Sequence, residues 1–361
     1  MVIPVHPLAD EVSQRFIVGL SGPTLSESDR EVLSQLRPGG VILRAHNFQA
    51  DAPYASWLET LAKLEHDVIS CVGRKQVIFA IDHEGGRINR CPEPITRFPS
   101  ARHYATRALE VGRAMGIELR SMGFNLSFAP VADIDSNPKN PVIGPRAFGS
   151  AAWEVADAAC AMVRGLSAAG IIGVGKHFPG HGDTSQDSHE ELPSLEHTLE
   201  LLKERELVPF EALISHANIP ALLTSHILFP SLDPDYPVTL SPKVLRALAR
   251  DHLRFRGVII SDDMDMKAIS ENFSDDEVAL QAFSAGCDML LFNHDPLRAL
   301  RVARISEVLL DELSLNPEEF AEGTVRVQRL FERLGCYVPQ ALDQELLAEH
   351  AALNKSLEVS P

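Results

Sequence analysis

Residues 171–175, Ile171-Ile172-Gly173-Val174-Gly175, form an apolar run that breaks into Lys176-His177-Phe178-Pro179-Gly180-His181-Gly182-Asp183-Thr184-Ser185-Gln186-Asp187-Ser188-His189. A short, unbroken run of branched apolar residues and glycine reads as a parallel strand buried on both faces. The polar groups that follow then lie just past its C-terminal end, where α/β proteins place their chemistry. No other stretch of the chain packs three imidazoles, two carboxylates and an ammonium into so short a loop. A fold does not require such a loop, so it marks a site.

Outward from this strand the same pattern repeats. Apolar runs at Phe16–Leu20, Gly40–Leu43, Val77–Ile81, Asn125–Pro130, Ala221–Thr224, Gly257–Ile260 and Met289–Phe292 read as further strands. Amphipathic stretches lie between most of them, at Asp51–Glu65, Ala101–Met122, Trp153–Ala169, Pro242–His252, Asp275–Ala285 and Asp295–Glu312, with Ser241 placed to cap the one that Pro242 opens. Eight strand–helix units in one chain predict a (β/α)8 barrel, an α/β fold of the TIM type; a doubly wound open sheet is the competing architecture. With no low-complexity linker and no internal repeat, the expectation is one catalytic domain over residues 1–361. A C-terminal helical extension from about residue 337 includes an amphipathic stretch, Ala341–Ser356, expected to pack on the barrel.

Composition narrows the function classes. The 361 residues are 45% apolar and 23% charged, ordinary for a globular enzyme with a large core. The 33 Lys and Arg against 50 Asp and Glu give a net charge of −17, a field that repels nucleic acid and anionic membranes. The five cysteines, Cys71, Cys91, Cys160, Cys287 and Cys336, are scattered without metal-type spacing, which suggests reduced thiols. The N-terminal Met-Val-Ile-Pro-Val-His-Pro lacks a basic region followed by an apolar core, and no run approaches the roughly 20 residues of a membrane span. A cytoplasmic monomer acting on a small molecule, without nucleic acid, membrane, metal or cofactor, is the expectation.

Polar residues close the predicted strands: Asp82, Lys176-His177, Ser225-His226, Ser261-Asp262-Asp263 and Asn293-His294. One such group is an ordinary turn residue. Five on one rim of a barrel point to an active site. Asp262, directly after a buried strand, is held rigidly and suits a nucleophile or base. Its neighbour Asp263 should face the other way and serve as a helix N-cap. In the loop, Asp187 and His189 can form a dyad in which the carboxylate fixes the imidazole tautomer and the free ring nitrogen donates and accepts a proton. Asp82 can accept hydroxyl hydrogens, while Lys176, Arg90 and Arg146 can donate to oxygen acceptors on a bound molecule. Arg87 reads as structural, paired with Glu84, and His181 and Asp183 read equally well as braces or as substrate contacts.

The stretch Lys176–Thr184 resembles the signature of family 3 glycoside hydrolases, in particular the single-domain bacterial β-N-acetylhexosaminidases that recycle cell-wall muropeptides. Ile259–Met264 is similar to that family's nucleophile strand, and Ile81–Arg90 and Asn140–Gly149 to its sugar-binding segments. The resemblance covers roughly residues 10 to 335. It implies a retaining, exo-acting enzyme with Asp262 as nucleophile, Asp187 and His189 as the acid/base dyad, and Asp82, Arg90, Arg146, Lys176 and His177 as binding residues. It implies GlcNAc joined to anhydro-muramoyl peptide as substrate. His83 stands where glutamine is common, and Pro145 where aspartate is common.

Three alternatives stay open on the residues. His177, His181, Asp183, Asp187 and His189 could ligate zinc or iron in a metal-dependent barrel hydrolase, although Lys176 would place a cation beside the metal. A non-catalytic sugar-binding barrel would be expected to lack Asp262 or the dyad. Phosphate in place of water could accept the sugar, making the enzyme a phosphorylase.

Overall fold

The computed structural model describes residues 8–188 and 190–357. Eight parallel strands close into a barrel in chain order: β1 Phe16–Gly19, β2 Gly40–Leu43, β3 Ile78–Ile81, β4 Leu126–Ser127, β5 Ile172–Phe178, β6 Ala221–Thr224, β7 Val258–Asp263 and β8 Met289–Phe292. Pairing of β8 with β1, Ile17 opposite Leu291, rules out the open sheet. Helices follow the strands in turn: α1 Glu27–Leu36, α2 Tyr54–Val72, α3 Ala108–Ser121, α4 Ala152–Ala168, α5 Val208–His216, the π-helical α6 Pro242–His252, α7 Asp275–Ala285 and α8 Pro296–Asp311. Two more helices follow, α9 Pro317–Phe331 and α10 Gln344–Leu357. As expected, the Ser241 hydroxyl caps α6 by accepting from Val244 N at 3.2 Å.

The period-two alternation of strand side chains divides the apolar residues between two layers. Ile17, Ile42, Ile78, Ala80, Ile172, Val174, Val258, Ile260, Met289 and Leu291 fill the barrel, and Val327, Leu330 and Leu334 plug its lower end from α9 and the turn after it. Phe16, Val18, Val41, Leu43, Phe79, Ile81, Leu290 and Phe292 face the helices. Continued upward from Ala80, Val174 and Ile260, the inward series reaches Asp82, Lys176 and Asp262. The alternation that packs the core therefore also aims these side chains at the barrel mouth.

Three strands depart from the sequence reading by more than one residue at an end. β4 shrinks to Leu126–Ser127, while the chain beyond it stays beside β5 outside the regular ladder, with Val174 N donating to the Ala129 carbonyl, Lys176 N to the Pro130 carbonyl, and a bridge between Val131 and Lys176. β5 and β7 extend through residues expected to lie past their ends, Lys176, His177, Asp262 and Asp263, and each shows a register shift there. The shifts let polar residues stay on a strand while their side chains turn toward the mouth. The expected helix Ala101–Met122 is split, with α3 starting at Ala108 after a separate turn at Ala101–Tyr104. The C-terminal helix packs on the barrel flank, where buried His350 meets Glu118 at 2.8 Å and Leu357 joins the core. Among the described residues no helix is long and apolar enough to cross a membrane.

Candidate active site

The upper end of the barrel holds a cavity lined by Asp82, Glu84, Arg90, Arg146, Lys176, His177, His181, Ser188 and Asp262, with Ile88, Phe128, Val142, Leu223 and Leu291 as its apolar surface. Six of the eight residues expected from the sequence to form the site thus meet in one place. Asp187 is not among the lining residues, although its neighbour Ser188 is. His189 lies outside the described residues. Ser225 and His226 turn away to brace the rim: the Ser225 hydroxyl donates to the Phe178 carbonyl at 3.0 Å, and His226 bonds Thr239 at 2.8 Å.

A buried ion network forms one wall. Lys176 Nζ lies 2.6 Å from both Asp82 Oδ1 and Glu84 Oε1, and Arg146 donates from Nε and Nη2 to the two oxygens of Glu84 at 2.8 Å each. Burial by itself would raise the Glu84 pKa, but Arg146 and Lys176 overcome it and hold the carboxyl well below the usual range. Burial opposes the charge on Lys176, while Asp82 and Glu84 raise its pKa, so it remains an ammonium. Glu84 is therefore a permanent anion and cannot serve as a proton donor near neutral pH. The expected pairing of Arg87 with Glu84 is wrong: Arg87 donates to the Val142 carbonyl instead, and the partners of Glu84 come from 62 and 92 residues along the chain. The signal available in the sequence was a carboxylate beside Asp82 and directly before Gly85-Gly86.

The network also changes what Arg146 offers. Three of its N–H groups are committed to Glu84 and to the Val142 carbonyl, so it reaches the cavity only through the remainder of its fork. No side-chain hydrogen bond joins Arg90 to another described residue, so its guanidinium is the donor on this wall least committed to the protein.

The opposite wall joins Asp133, His177 near the end of β5 and the loop that follows. Asp133, fully buried, accepts from His177 N at 3.2 Å and His181 N at 2.7 Å and meets His177 Nδ1 at 2.6 Å. Burial works against its charge, yet the two histidines keep its pKa below the ordinary value. With Nδ1 fixed in this way, His177 presents Nε2 to the cavity. His181 engages both ring nitrogens within the protein, with Thr184 at 2.8 Å and Ser188 at 3.2 Å, and burial lowers its pKa to about 4. It is a neutral brace, and a metal ligand set built on it would have to break these bonds. Asn140 ties the loop down from the segment 140–149, donating to the carbonyls of His181 and Gly182 while accepting from Val142 N and Ile143 N. Gly182 permits this closeness, since a Cβ there would lie 1.6 Å from the Ile134 carbonyl oxygen. The roles of Asp133 and Asn140 escaped the sequence reading because the loop groups they hold, at residues 177–182, are 41 or more residues away in the chain.

Asp262 forms the floor beneath the network, with one carboxylate oxygen accepting from Asp263 N at 2.8 Å and its own amide donating to the Thr224 hydroxyl at 3.2 Å. Asp263 faces away, as the alternation requires, but it caps no helix. It accepts from Asp265 N and Asn293 N at 3.0 Å each, lacing β7 to β8, and burial together with Asp265 pushes its pKa up to about 7.

The ion network yields a stability prediction. Glu84→Gln leaves Arg146 and Lys176 buried with half their counter-charge, so it is expected to destabilise the fold by about 3 kcal/mol or more at pH 7. A carboxyl whose pKa is depressed in the folded state stabilises above its unfolded value near 4.5, and that stability fades as pH falls toward the folded value. The gap between wild type and variant in urea unfolding should therefore narrow from pH 7 to pH 3. A gap that stays constant or widens would mean that Glu84 is not held as an anion.

The whole chain, not only its motifs, has recognisable relatives. Residues 8–330 match the glycosyl hydrolase family 3 N terminal domain. A Methylococcus capsulatus protein named beta-hexosaminidase is 41% identical over 285 residues, 77% of this chain and 82% of its own. Another of that name from Thioalkalivibrio sulfidiphilus is 34% identical over 356 residues, 96% of both chains. Among solved structures, a family 3 beta-N-acetylglucosaminidase from Paenibacillus sp. str. FPU-7 superposes with a TM-score of 0.86 at 32% identity, over 96% of this chain and 67% of that one. With a closed barrel, a carboxylate on its floor and a family match spanning most of its length, the chain belongs to glycoside hydrolase family 3.

Proposed function

We propose that this glycoside hydrolase, a β-N-acetylhexosaminidase, removes terminal non-reducing GlcNAc from cell-wall muropeptides in which the sugar is joined to anhydro-muramoyl peptide, by double displacement through a covalent glycosyl–aspartate. The observation that carries the reading is Asp262 on the floor of a cavity whose wall is the Asp82–Lys176–Glu84–Arg146 network. A retaining glycosidase needs one carboxylate as nucleophile and a second group as acid and then base. Asp262 supplies the first. For the second, Glu84 is fixed as an anion and Asp183 is bound to Arg205 and His197. By resemblance the second group is the Asp187–His189 pair, in the loop whose Ser188 lines the cavity. The sugar ring would bond Asp82, Lys176, Arg90 and His177 Nε2, with the acetamido group toward the open part of Arg146.

Named beta-hexosaminidases among the relatives support a 2-acetamido sugar. A pocket closed below by the barrel core supports exo action on one terminal residue. We read the barrel and its C-terminal helix as a single catalytic domain working as a monomer in the cytoplasm, in line with five free cysteine thiols and a net charge of −17. Assays of p-nitrophenyl β-GlcNAc beside the β-glucoside, with the first-formed anomer read by NMR, test activity and stereochemistry together. The reading expects strong preference for GlcNAc and a β product. Addition of phosphate should leave rate and product unchanged; formation of a sugar phosphate would make the enzyme a phosphorylase.

A further inference from the structure

Outside the cavity, Asp183, His197 and Glu206 place donor atoms within 4.8 Å of one another. That spacing suits a metal ion, but a protein cation already holds the position. Arg205 Nη2 lies 2.6 Å from Asp183 Oδ2 and 2.5 Å from Glu206 Oε1, and Arg205 Nε donates to the same glutamate oxygen at 2.6 Å. His197 Nε2 meets Asp183 Oδ2 at 3.0 Å. Glu206 is 1% exposed, and burial pushes its pKa up to about 7 against the pull of Arg205. The knot thus joins a guanidinium, two carboxylates and an imidazole beneath the loop.

Its place in the chain gives it a role. Asp183 begins the excursion that follows β5, His197 ends it, and Asp187 lies between them, with His189 there by sequence. The two feet are separately fixed. Asn137 Nδ2 donates to the Asp183 carbonyl at 3.1 Å, while Pro193 and Leu195 pair with Leu228 at 2.8 and 2.9 Å. The Asp183–His197 contact closes the neck, and Arg205, from the π-helical turn Leu202–Glu206, locks it. Near the tip, Ser188 O accepts from Ala268 N at 3.4 Å, and Glu190 meets Lys267 at 2.7 Å, on the short helix Lys267–Ser270 that follows the nucleophile strand.

We propose that Arg205, clamping Asp183 to Glu206, is a positioning residue for proton transfer: it fixes the neck of the loop in whose sequence the acid/base groups Asp187 and His189 lie. This rests on the reading of Asp187 and His189 as that pair. Loosening the neck shifts the proton donor relative to the glycosidic oxygen while leaving the sugar contacts, which come from other elements, in place. A misplacement of about 1 Å costs on the order of a hundredfold in a positioned step.

The test is kinetic, on the full-length protein, with β-GlcNAc substrates from dinitrophenyl through unsubstituted phenyl to a disaccharide. For Arg205→Ala, kcat on the phenyl and disaccharide substrates should fall on the order of ten- to a hundredfold, with the dinitrophenyl glycosylation step and KM changed by no more than about twofold. Arg205→Lys, which keeps one bond and the charge, should recover part of the loss. Asp183→Asn, which keeps volume and one acceptor, should repeat the trend if Arg205→Ala does not fold. A loss equal on all leaving groups, or a lowered melting temperature with unchanged kinetics, overturns the proposal and leaves the knot purely structural. His189→Ala is measured alongside. If it shows the leaving-group trend and the Arg205 and Asp183 variants do not, only the positioning role falls; if none shows it, the dyad reading falls and the positioning role falls with it.

Discussion

Asp262→Ala is expected to abolish turnover, lowering kcat by at least about three orders of magnitude, while the protein still folds and melts as a barrel. The expectation follows from where the carboxylate sits. Asp262 continues the inward series Val258, Ile260 that packs the barrel, so a rigid strand holds it at the cavity floor, where one carboxylate oxygen accepts from Asp263 N at 2.8 Å. Removal opens no hole in the apolar core. On the proposed mechanism what disappears is the group that bonds the anomeric carbon, and the anionic neighbours Asp82 and Glu84 are engaged by Lys176 and Arg146. The substrate's own 2-acetamido oxygen is the one internal substitute, and its use would show as activity restricted to 2-acetamido sugars. Activity assays and thermal melting on the same preparation check both halves of the expectation; near-normal kcat would remove Asp262 from the role.

The second large effect concerns His189 and Asp187. His189→Ala should lower kcat on the disaccharide by about 10²- to 10⁴-fold, because a sugar alkoxide cannot depart without a proton, whereas dinitrophenolate can. On activated aryl substrates glycosylation should remain fast and deglycosylation become slow, giving a burst of phenol followed by weak turnover. Asp187→Ala should follow the same trend more mildly and move the pH optimum, since it removes the partner that orients and charges the imidazole. Stopped-flow release of the phenol distinguishes the two steps. Equal losses on good and poor leaving groups would make the histidine a packing residue.

How far the sequence could be read is clear from particular positions. β2, β6 and β8 are apolar runs whose ends match the reading to the residue, and the closure of β8 on β1 agrees with eight repeated units. Asp82, Lys176 and Asp262 were legible because each directly follows such a run, and the period-two rule that packs Ala80, Val174 and Ile260 also aims the next inward side chain at the mouth. The strands β5 and β7 were read too short because polar residues end an apolar pattern but need not end a ladder once the register shifts. Glu84 was misassigned for a different reason. Arg87 lies three residues away and Arg146 sixty-two, and local charge pairing in a sequence carries no information about which pair the fold brings together. The same limit hid Asp133, Asn140 and Arg205, each of which ties to a partner remote in the chain: His177, His181 and Asp183 respectively.

The most direct measurement of the central claim is to trap the intermediate. A fluorinated β-GlcNAc derivative with a good leaving group forms the glycosyl–enzyme but hydrolyses it slowly, so the protein should gain the mass of one sugar. After proteolysis, that mass should sit on the peptide containing Ile259–Met264, at Asp262. Label on a different carboxylate, or rapid turnover that releases the inverted anomer without any covalent adduct, would contradict it.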